Sequence, residues 1–312
     1  MQSQNACLSL GIDIGSTTIK YALIDGNKKI VAARYERHKS AVVQTLKWLL
    51  SDLIAHYDCQ KAFVRLSGSG ALILAGATGT GFVQEVVAAG TYLHENDPLL
   101  DVAVELGGED AKIIYLTQGV ELRMNEACAG GTGAFIDQMA ALLHTDASGL
   151  NELAANYTTL YPIASRCGVF AKTDVVPLLN EGAAREDLAA SIFQAVVEQT
   201  IGGLACGNPI RGKVAFLGGP LHFLPELKKA FIRTLKLTPE TTVDPENSHL
   251  FAAMGAALET EAGTAARPIG ELIDRLAQGV TMAFEIKRLP PLLEETMADY
   301  DNFKLVLNDV LK

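Results

Sequence analysis

The sequence lacks several features that mark common classes of protein. Basic residues are in deficit, with 26 Lys and Arg against 36 Asp and Glu and a net charge of -10. This balance argues against a general nucleic-acid-binding protein, because neutralising phosphates requires surplus Lys and Arg. No apolar run approaches the length of a membrane span, and the N-terminal residues lack the basic start and long apolar core of a signal peptide. We therefore expect a cytoplasmic protein without a membrane partner.

Cysteine is also scarce, with five residues and no Cys-x-x-Cys pair. An odd number of cysteines in a reducing compartment argues against a disulfide framework. Cys7, Cys59 and Cys206 lie in or beside apolar strand and helix patterns, and we expect them to be small buried hydrophobes. Cys128 and Cys167 differ, because each lies in a glycine-containing segment, NEACAGGTGAFIDQM and SRCGVFAKTD.

The segment around Cys128 is typical of a glycine-rich loop that opens a helix, which is a natural place to hold phosphate. A thiol three residues ahead of such a loop suggests that a sulfur-bound metal centre and a nucleotide share one structural element. One chain would supply two thiolates, Cys128 and Cys167, whereas an iron–sulfur cube needs four ligands. A symmetric dimer would supply the other two. The pattern suggests a nucleotide-driven redox protein.

The order of predicted strands indicates two similar lobes. The opening residues, from LSLGIDIG to KIVAARYE, predict three successive strands. DVAVELGGEDAKIIYL with GVELRMN repeats that pattern of strand, glycine turn and strand, and the following half is mostly helical. Two copies of one pattern indicate duplicated lobes that face a cleft. We predict a first lobe over residues 1–95, a second lobe over 96–265, and a tail or linker over 266–312 that packs back on the first lobe.

Two kinds of residue are expected to have no role in chemistry. Trp48 lies on an apolar face of a predicted helix and is expected in the core. The six histidines show no metal-ligand spacing, and we expect surface or hydrogen-bonded positions for all of them: His38, His56, His94, His144, His222 and His249.

Three glycine turns that each follow an apolar strand are the candidate sites. In GIDIGSTTIK, Asp13 ends the strand, its carboxylate suits a magnesium ion held through water, and the turn amides can face phosphate. ELGGED offers two glycines for close approach of phosphates, with carboxylates at Glu105 and Asp110. FLGGP would place its backbone against an adenine or ribose. Each turn alone is weak evidence, and no GxxxxGK[ST] loop is present, but their order is specific.

That order resembles the actin, Hsp70 and sugar-kinase ATPase superfamily. The resemblance implies an α/β fold of two ribonuclease-H-like lobes around a nucleotide cleft. With NEACAGGTG and SRCGVFA added, the chain from Leu8 to Glu259 resembles the activators of 2-hydroxyacyl-CoA dehydratases and benzoyl-CoA reductases. ELGGEDAKI and SRCGVFAKTD look closest to the N-terminal module of long fused activase–dehydratase-like proteins.

The resemblance to these activators implies an ATPase that is coupled to low-potential electron transfer. It implies a homodimer that shares one [4Fe-4S] cluster, with ATP or ADP and Mg²⁺ as further cofactors. The electron acceptor would be a dehydratase-like or reductase-like iron–sulfur partner protein or fused domain. A small donor such as ferredoxin or flavodoxin would supply the electron.

The same resemblance assigns roles to individual residues. Cys128 and Cys167 correspond to the cluster ligands. Asp13, Glu105 and Asp110 would organise magnesium and the attacking water, with Glu85 as a weaker candidate. The nucleotide-binding set is Gly15, Ser16, Thr17, Thr18, Lys20, Gly107, Gly108, Gly131, Thr132, Gly133, Gly218, Gly219 and Pro220. The chain departs from the family pattern at Glu105, where Asp is usual, at Glu109, where Gln is usual, and at Lys172.

Two alternatives remain open at the level of sequence. A metabolite kinase of the same superfamily, acting on a sugar or small acid, would need a general base facing the γ-phosphate. Asp110 and Asp137 are candidates for that base, but no sugar pocket is identifiable, and a kinase gives no reason for Cys128 to lie beside a glycine turn. An actin-like filament or ATP sensor would instead act through partner binding without iron.

Overall fold

The computed structural model describes residues 8–57, 59–117, 119–125, 130–164, 168–259 and 265–278. Three cysteines, Cys7, Cys128 and Cys167, lie outside the described residues, and so does the predicted tail beyond residue 278. For the two predicted cluster ligands, Cys128 and Cys167, the structure describes the neighbouring residues up to 125 and 164 and from 130 and 168 onward.

The described residues form strands and helices in alternation. The strands are β1 (Ser9–Ile14), β2 (Thr18–Ile24), β3 (Ile30–Arg37), β4 (Lys61–Ser67), β5 (Gly81–Phe82), β6 (Val102–Leu106), β7 (Ala111–Tyr115), β8 (Glu121–Met124), β9 (Val214–Leu217), β10 (Thr242–Val243) and β11 (Arg267–Pro268). The helices are α1 (Val42–Tyr57), α2 (Ala71–Thr78), α3 (Glu85–Asn96), α4 (Gly133–Leu142), α5 (Ala147–Ala154), α6 (Gly168–Asn180), α7 (Arg185–Thr200), α8 (Gly219–Phe223), α9 (Pro225–Leu235), α10 (Phe251–Leu258) and α11 (Ile269–Ala277).

Two sheets share one strand order. In the first, antiparallel β3, β2 and β1 are followed by parallel β4 and β5. In the second, antiparallel β8, β7 and β6 are followed by parallel β9 and β10. This repetition confirms the predicted fold class of two similar α/β lobes. The central strands β1 and β6 are almost wholly apolar and buried, as expected where helices cover both faces of a sheet.

Helices α3 and α10 pack on each other beside the first sheet. A Cβ on Gly255 of α10 would lie 1.8 Å from the carbonyl oxygen of Ala88, and a Cβ on Gly11 of β1 would lie 1.9 Å from that of Ala253. Only glycine permits these approaches, because a Cβ atom does not come within 3 Å of a backbone oxygen. The backbone of α10 is therefore held directly against β1, at the strand that leads into the first glycine turn.

Helix α7 is the central helix of the second lobe. With the π-helical turn Ile201–Ala205 that continues it, it forms a run of 21 residues, long and apolar enough to span a membrane by length and composition. The sequence prediction that no run approaches that length was thus wrong. However, 67% of the apolar window is buried inside the fold, and Leu188, Ile192 and Phe193 belong to the second lobe's core. We interpret α7 as a core helix.

The start of the predicted tail adds to the first sheet. Strand β11 pairs with the N-terminal end of β4. Ile269, Leu272 and Leu276 of α11 join the core that contains α1 and α2. Helix α10, which falls in the range predicted for the second lobe, packs on β1 of the first sheet. The predicted boundaries at residues 95 and 265 stay predictions.

Two predictions of burial were wrong and one was confirmed. Trp48 is 53% exposed, because the buried stripe of α1 runs through Leu46, Leu49, Leu50 and Leu53 and leaves position 48 outside it. Cys206 is exposed, since the chain turns out of the helix there in a left-handed conformation with φ 46°. Cys59 is buried, as predicted.

Candidate functional site

The three glycine turns meet in one cleft. Loop 1 (residues 15–18) follows β1, loop 2 (residues 107–110) follows β6, and loop 3 (residues 218–220) follows β9. A Cβ on Gly108 would lie 2.0 Å from Oγ1 of Thr17, so loops 1 and 2 are in contact. One cavity is lined by Gly15, Ser16, Thr17, Thr18, Lys20, Tyr35, Ser69, Glu85, Glu105, Gly107, Gly108, Asp110, Lys112, Gly218, Gly219, His249 and Phe251. Most of the predicted site residues therefore come together.

Loop 1 is held by its own lobe with its carbonyl groups turned inward. The amide of Gly15 donates to the carbonyl of Thr18 at 2.9 Å. The ring nitrogen Nε2 of His38 donates to the carbonyl of Gly15 at 3.2 Å, and the backbone amide of His38 donates to the carbonyl of Thr17. Within the described ranges, the amides of Ser16 and Thr17 have no protein acceptor. Such free amides are suited to the oxygens of an anionic ligand.

Loop 2 has the same turn but different anchors. The amide of Gly107 donates to the carbonyl of Asp110 at 2.7 Å, which repeats the bond from Gly15 to Thr18. The first two amides of α4 donate to this loop: Gly133 to the carbonyl of Gly107 at 3.0 Å, and Ala134 to that of Gly108 at 2.7 Å.

The remaining amides of loop 2 are available to a ligand. Among the described residues, no acceptor is present for the amides of Gly108, Glu109 and Asp110. The predicted role of Gly133 as a donor to nucleotide is not what the geometry favours, because its amide is occupied by the loop. Thr132 is fully buried, and Gly131 has φ +81° and packs against Gln199 and Thr200. Of these three residues, Gly133 positions loop 2 through its amide.

Each lobe carries a carboxylate–lysine pair behind its loop. Asp13 of β1 lies opposite Lys20 of β2 with an oxygen–nitrogen distance of 2.6 Å. Glu105 of β6 lies opposite Lys112 of β7 at 3.0 Å. Lys112 also contacts Glu85, the first residue of α3, at 3.1 Å. The second pair is thus extended to a triad in which one buried lysine contacts the buried Glu105 and the partly exposed Glu85.

Burial and charge shift the ionisation of these groups. Burial raises the pKa of Asp13 above its usual value, although Lys20 opposes the shift. Burial likewise raises the pKa of Glu105 to about 7, with Lys112 opposing and Glu85 adding to the shift. Burial alone would lower the pKa of Lys112, but the two glutamates outweigh it and raise that pKa. Glu105 therefore titrates near neutral pH while its lysine stays charged.

The carboxylates retain oxygens that fit a magnesium ion. Oδ1 of Asp13 and Oε2 of Glu105 are buried without a hydrogen-bond partner. Mg²⁺ prefers oxygen ligands and keeps several waters when it binds beside phosphates, so it needs only one or two protein carboxylates. In the part of the chain that the structure describes, no group of three or more metal-ligating side chains occurs.

Aromatic side chains form the other end of the cleft, beside loop 3. The ring of Tyr35 lies 5.3 Å from that of Phe223 and 5.8 Å from that of His249. His222 and His249 stack with centroids 3.9 Å apart. Burial lowers the pKa of His249 to about 4, and its Nδ1 is buried without a partner. The prediction that His249 is a surface or hydrogen-bonded residue was wrong, because it faces this cleft.

A second cavity of about 140 Å³ continues the cleft past loop 3 and includes Pro220 in its lining. Arg37, at the end of β3, donates to Asp137 of α4 across its mouth, with Nη1–Oδ2 at 2.6 Å and Nη2–Oδ1 at 3.3 Å. Asp137 was a candidate base for the kinase alternative. It is instead paired with an arginine from the other lobe.

Sequence reasoning missed Lys112. The signal was available: Lys20 follows Asp13 by seven residues, and Lys112 follows Glu105 by seven, with a glycine two residues after each acid. In a tight antiparallel hairpin that spacing places acid and lysine opposite each other. Asn125 and Tyr35 were also missed, since nothing local in the sequence links them to the cleft.

The arrangement of three loops on two like lobes agrees with comparison to known proteins. Residues 10–260 match the BadF/BadG/BcrA/BcrD ATPase family. The chain belongs to this family. Its fold and its nucleotide cleft are therefore those of an ATPase, as the resemblance of the glycine turns implied.

Three proteins similar in sequence are named as activators of dehydratases. The (R)-2-hydroxyglutaryl-CoA dehydratase activating ATPase of Acidaminococcus fermentans is 31% identical over 68% of this chain and 82% of its own length. The 2-hydroxyisocaproyl-CoA dehydratase activator of Clostridioides difficile is 28% identical over 80% of this chain and 93% of its own length. The activator of lactoyl-CoA dehydratase of Anaerotignum propionicum is 27% identical over 80% of this chain and 96% of its own length.

Solved structures agree with these sequence matches. Component A of the (R)-2-hydroxyglutaryl-CoA dehydratase of Acidaminococcus fermentans superposes with a TM-score of 0.72 at 27% identity, covering 81% of this chain and 97% of that one. The activator of the 2-hydroxyisocaproyl-CoA dehydratase from Clostridium difficile, solved with bound ADPNP, superposes with a TM-score of 0.67 at 25% identity. The match covers 87% of this chain and 97% of that one. The ethanolamine utilization protein EutJ from Carboxydothermus hydrogenoformans, at 0.55 and 15% identity, shares the fold alone.

Proposed function

We propose that this ATPase hydrolyses ATP to drive an electron from a [4Fe-4S] cluster, shared by two copies of the chain, to a dehydratase-like or reductase-like iron–sulfur partner. The observation that carries the proposal is the relation between two helices. Helix α4 begins five residues after Cys128, and α6 begins at Gly168, directly after Cys167. Gly168 packs against Phe135 and Gln138 of α4. The chain therefore enters two neighbouring helices immediately after both cysteines.

This pairing fits an anionic cluster. The dipole of a helix favours thiolate-bound anions close to its N-terminus, and in α4 this holds although its first two amides are bonded to loop 2. Cys128 and Cys167 would hold the cluster in each chain, and a [4Fe-4S] cluster, which serves as a one-electron carrier, needs four such thiolates. Two copies related by a two-fold axis would provide all four.

Exposed apolar side chains support the homodimer. Val169 and Phe170, in the first turn of α6, are 69% and 62% exposed in the single chain. Large apolar residues beside one another at a helix start are typical of a surface that a partner covers. A second copy that contributes its own Cys128 and Cys167 would cover them.

The cleft supplies the groups that ATP hydrolysis needs. The free amides of loops 1 and 2, with Lys20 and Lys112, would surround the phosphates. Asp13 and Glu105 would hold hydrated Mg²⁺, which neutralises charge that develops on the phosphates. Glu105, with a pKa of about 7, is suited to accept a proton from the attacking water at neutral pH. Asp110 lies on the same loop and would orient that water.

The names of the relatives support the partner. The three relatives described above are activators of dehydratases that act on 2-hydroxyacyl-CoA substrates. By analogy, the acceptor of this chain's electron is a dehydratase-like or reductase-like protein, either separate or fused to it. A small reducing protein such as ferredoxin or flavodoxin in the cytoplasm would re-reduce the activator.

Anaerobic purification tests the proposal. We expect brown, dimeric protein with about four irons per dimer, and ATP turnover. Cys128→Ala and Cys167→Ala should each lose the iron and keep nucleotide binding. Cys206→Ala, which removes an exposed cysteine far along the chain, is the matched control and should keep both. Monomeric, iron-free protein that still consumes ATP would contradict the proposal.

A further inference from the structure

Asn125 is the last described residue before the segment that contains Cys128, and its side chain is bonded to loop 2. Its Oδ1 accepts a hydrogen bond from the amide of Ala111 at 2.7 Å. Its Nδ2 donates to the carbonyl of Glu109 at 3.1 Å. The backbone amide of Asn125 also donates to the carbonyl of Ala111 at 3.2 Å. Asn125 thus contacts Glu109 of loop 2 and Ala111, the first residue of β7, on either side of Asp110.

These bonds determine which way the loop presents its backbone. Holding the carbonyl of Glu109 toward Asn125 turns the next amide, that of Asp110, in the opposite direction along the planar peptide. That amide has no acceptor among the described residues, and Asp110 lines the cleft. Any rotation of the peptide between residues 109 and 110, such as one that follows a phosphate, must therefore break or move the bond to Asn125.

Described residues on both sides of positions 126–129 are bonded to loop 2. Before these positions, the side chain of Asn125 holds the carbonyl of Glu109. After them, the amides of Gly133 and Ala134 hold the carbonyls of Gly107 and Gly108. The bonds on this second side are made by backbone groups at a helix start. Of the bonds described here, the two made by a side chain are those of the Asn125 amide group.

We propose that Asn125 is a positioning residue that transmits the nucleotide state of loop 2 to the segment that carries Cys128. The inference rests on the proposed function for its biological purpose, but the coupling itself is a property of this chain. When the terminal phosphate no longer holds the amides of loop 2, the peptide at 109–110 relaxes, and Asn125 moves with it. Cys128 follows Asn125 by three residues, so the peptides that contain it are the place to measure the coupling.

Hydrogen exchange of the anaerobically purified protein measures this coupling directly. Exchange in peptides that cover residues 126–134 would be compared with Mg·ADP and with a non-hydrolysable ATP analogue bound. We expect a clear difference between the two states in the unmodified protein. In Asn125→Ala the difference should fall at least about threefold, while both nucleotides still bind. A purely structural role would raise exchange equally in the two states and leave the difference intact.

Two further variants sharpen the test. Asn125→Asp keeps the acceptor for the amide of Ala111 but loses the donor to Glu109, so it should fold and still lose the nucleotide-dependent difference. Asn156→Ala removes an exposed asparagine whose side chain reaches only the carbonyl of Glu152, and it should behave like the unmodified chain. An unchanged difference in both Asn125 variants would overturn the inference.

The outcomes separate this inference from the proposed function. Exchange requires no iron, so iron-free protein that shows an Asn125-dependent difference would contradict the cluster and support the coupling. Protein that carries the full cluster, with a nucleotide-dependent difference that ignores Asn125, would support the cluster and overturn the coupling.

Discussion

Loops 1 and 2 are built from the same local pattern and are anchored to different parts of the molecule. Each begins with a glycine whose amide bonds the carbonyl three residues on, and each lies in front of a buried acid paired with a lysine. Loop 1 is held by His38 within the first lobe. Loop 2 is held by α4 and Asn125. The comparison teaches that two copies of one local pattern can be connected to different parts of the molecule, so that a ligand on each loop would affect a different region.

The acids behind the loops differ as well. Asp13 has one lysine partner, whereas Lys112 is shared by Glu105 and Glu85. Glutamate is longer than aspartate by one methylene, so Glu105 reaches further toward the cleft from an equivalent strand position. The loop that leads towards the Cys128 segment therefore lies in front of the cluster with two carboxylates, one of which, Glu85, comes from α3.

The largest expected effect comes from the two lysines. Lys112→Met leaves the buried Glu105 and the partly buried Glu85 without a cation, and removing one partner of a buried ion pair costs about 3–5 kcal/mol of unfolding free energy. Lys20→Met leaves only Asp13 unpaired and should cost less. Denaturant unfolding of both variants measures the difference. Equal losses would mean that the shared lysine of the second lobe has no special structural weight.

The next effect distinguishes Glu105 from Asp13 as the base. Glu105→Gln should lower ATP turnover about 100-fold or more, with nucleotide affinity largely kept. In the unmodified protein, kcat/KM reports the free enzyme, so its pH profile should rise through about pH 7, the raised pKa of Glu105. Glu105→Gln should flatten that rise. A rise that persists in the variant would assign it to another group.

Whereas kcat/KM should rise with pH, the contribution of Glu105 to the free energy of unfolding should fall as pH rises. The pKa of Glu105 in the folded protein lies above its ordinary value of 4.5, so the fold binds the proton more tightly than the unfolded chain does. The contribution is fully present below about pH 4.5 and is lost as pH rises through about 7. Glu105→Gln should reduce that loss of unfolding free energy.

The smallest expected effect concerns the bridge between the anchors of the two loops. Arg37 is the last residue of β3, directly before His38, which holds loop 1. Asp137 belongs to α4, the helix that holds loop 2. Both side chains are substantially exposed, and an exposed ion pair contributes at most about 1 kcal/mol. Arg37→Ala should weaken nucleotide binding by no more than about fivefold, as measured by calorimetric titration. A much larger loss would mean that the bridge controls closure of the cleft.

Much of the fold could be predicted from local pattern. The glycine turns after β1, β6 and β9 were recognisable because a buried strand that ends in glycine is a strong local signal. The confirmed fold of two similar lobes followed from the repetition of that signal. Trp48 was misjudged because helical periodicity gives the faces of a helix but does not decide which face meets the core, and Cys206 because the helix ends just before it.

The candidate site could be predicted only in part. The residues of the loops were found because they adjoin the glycines in sequence. Lys112 was missed, although its spacing from Glu105 repeats that of Lys20 from Asp13. His249 could not have been found, because it reaches the cleft from a turn far along the chain, next to α10.

The sequence by itself determined the two-fold repetition of strand and glycine turn, the acids that end the strands, and the two cysteine segments. These depend on residues close together in the chain, where spacing and stereochemistry suffice. Only the tertiary structure decided that loops 1 and 2 touch, that Glu85 shares Lys112 with Glu105, and that Asn125 holds loop 2. Those contacts join residues from separate elements, and their formation depends on how the sheets and helices pack, which no local pattern encodes.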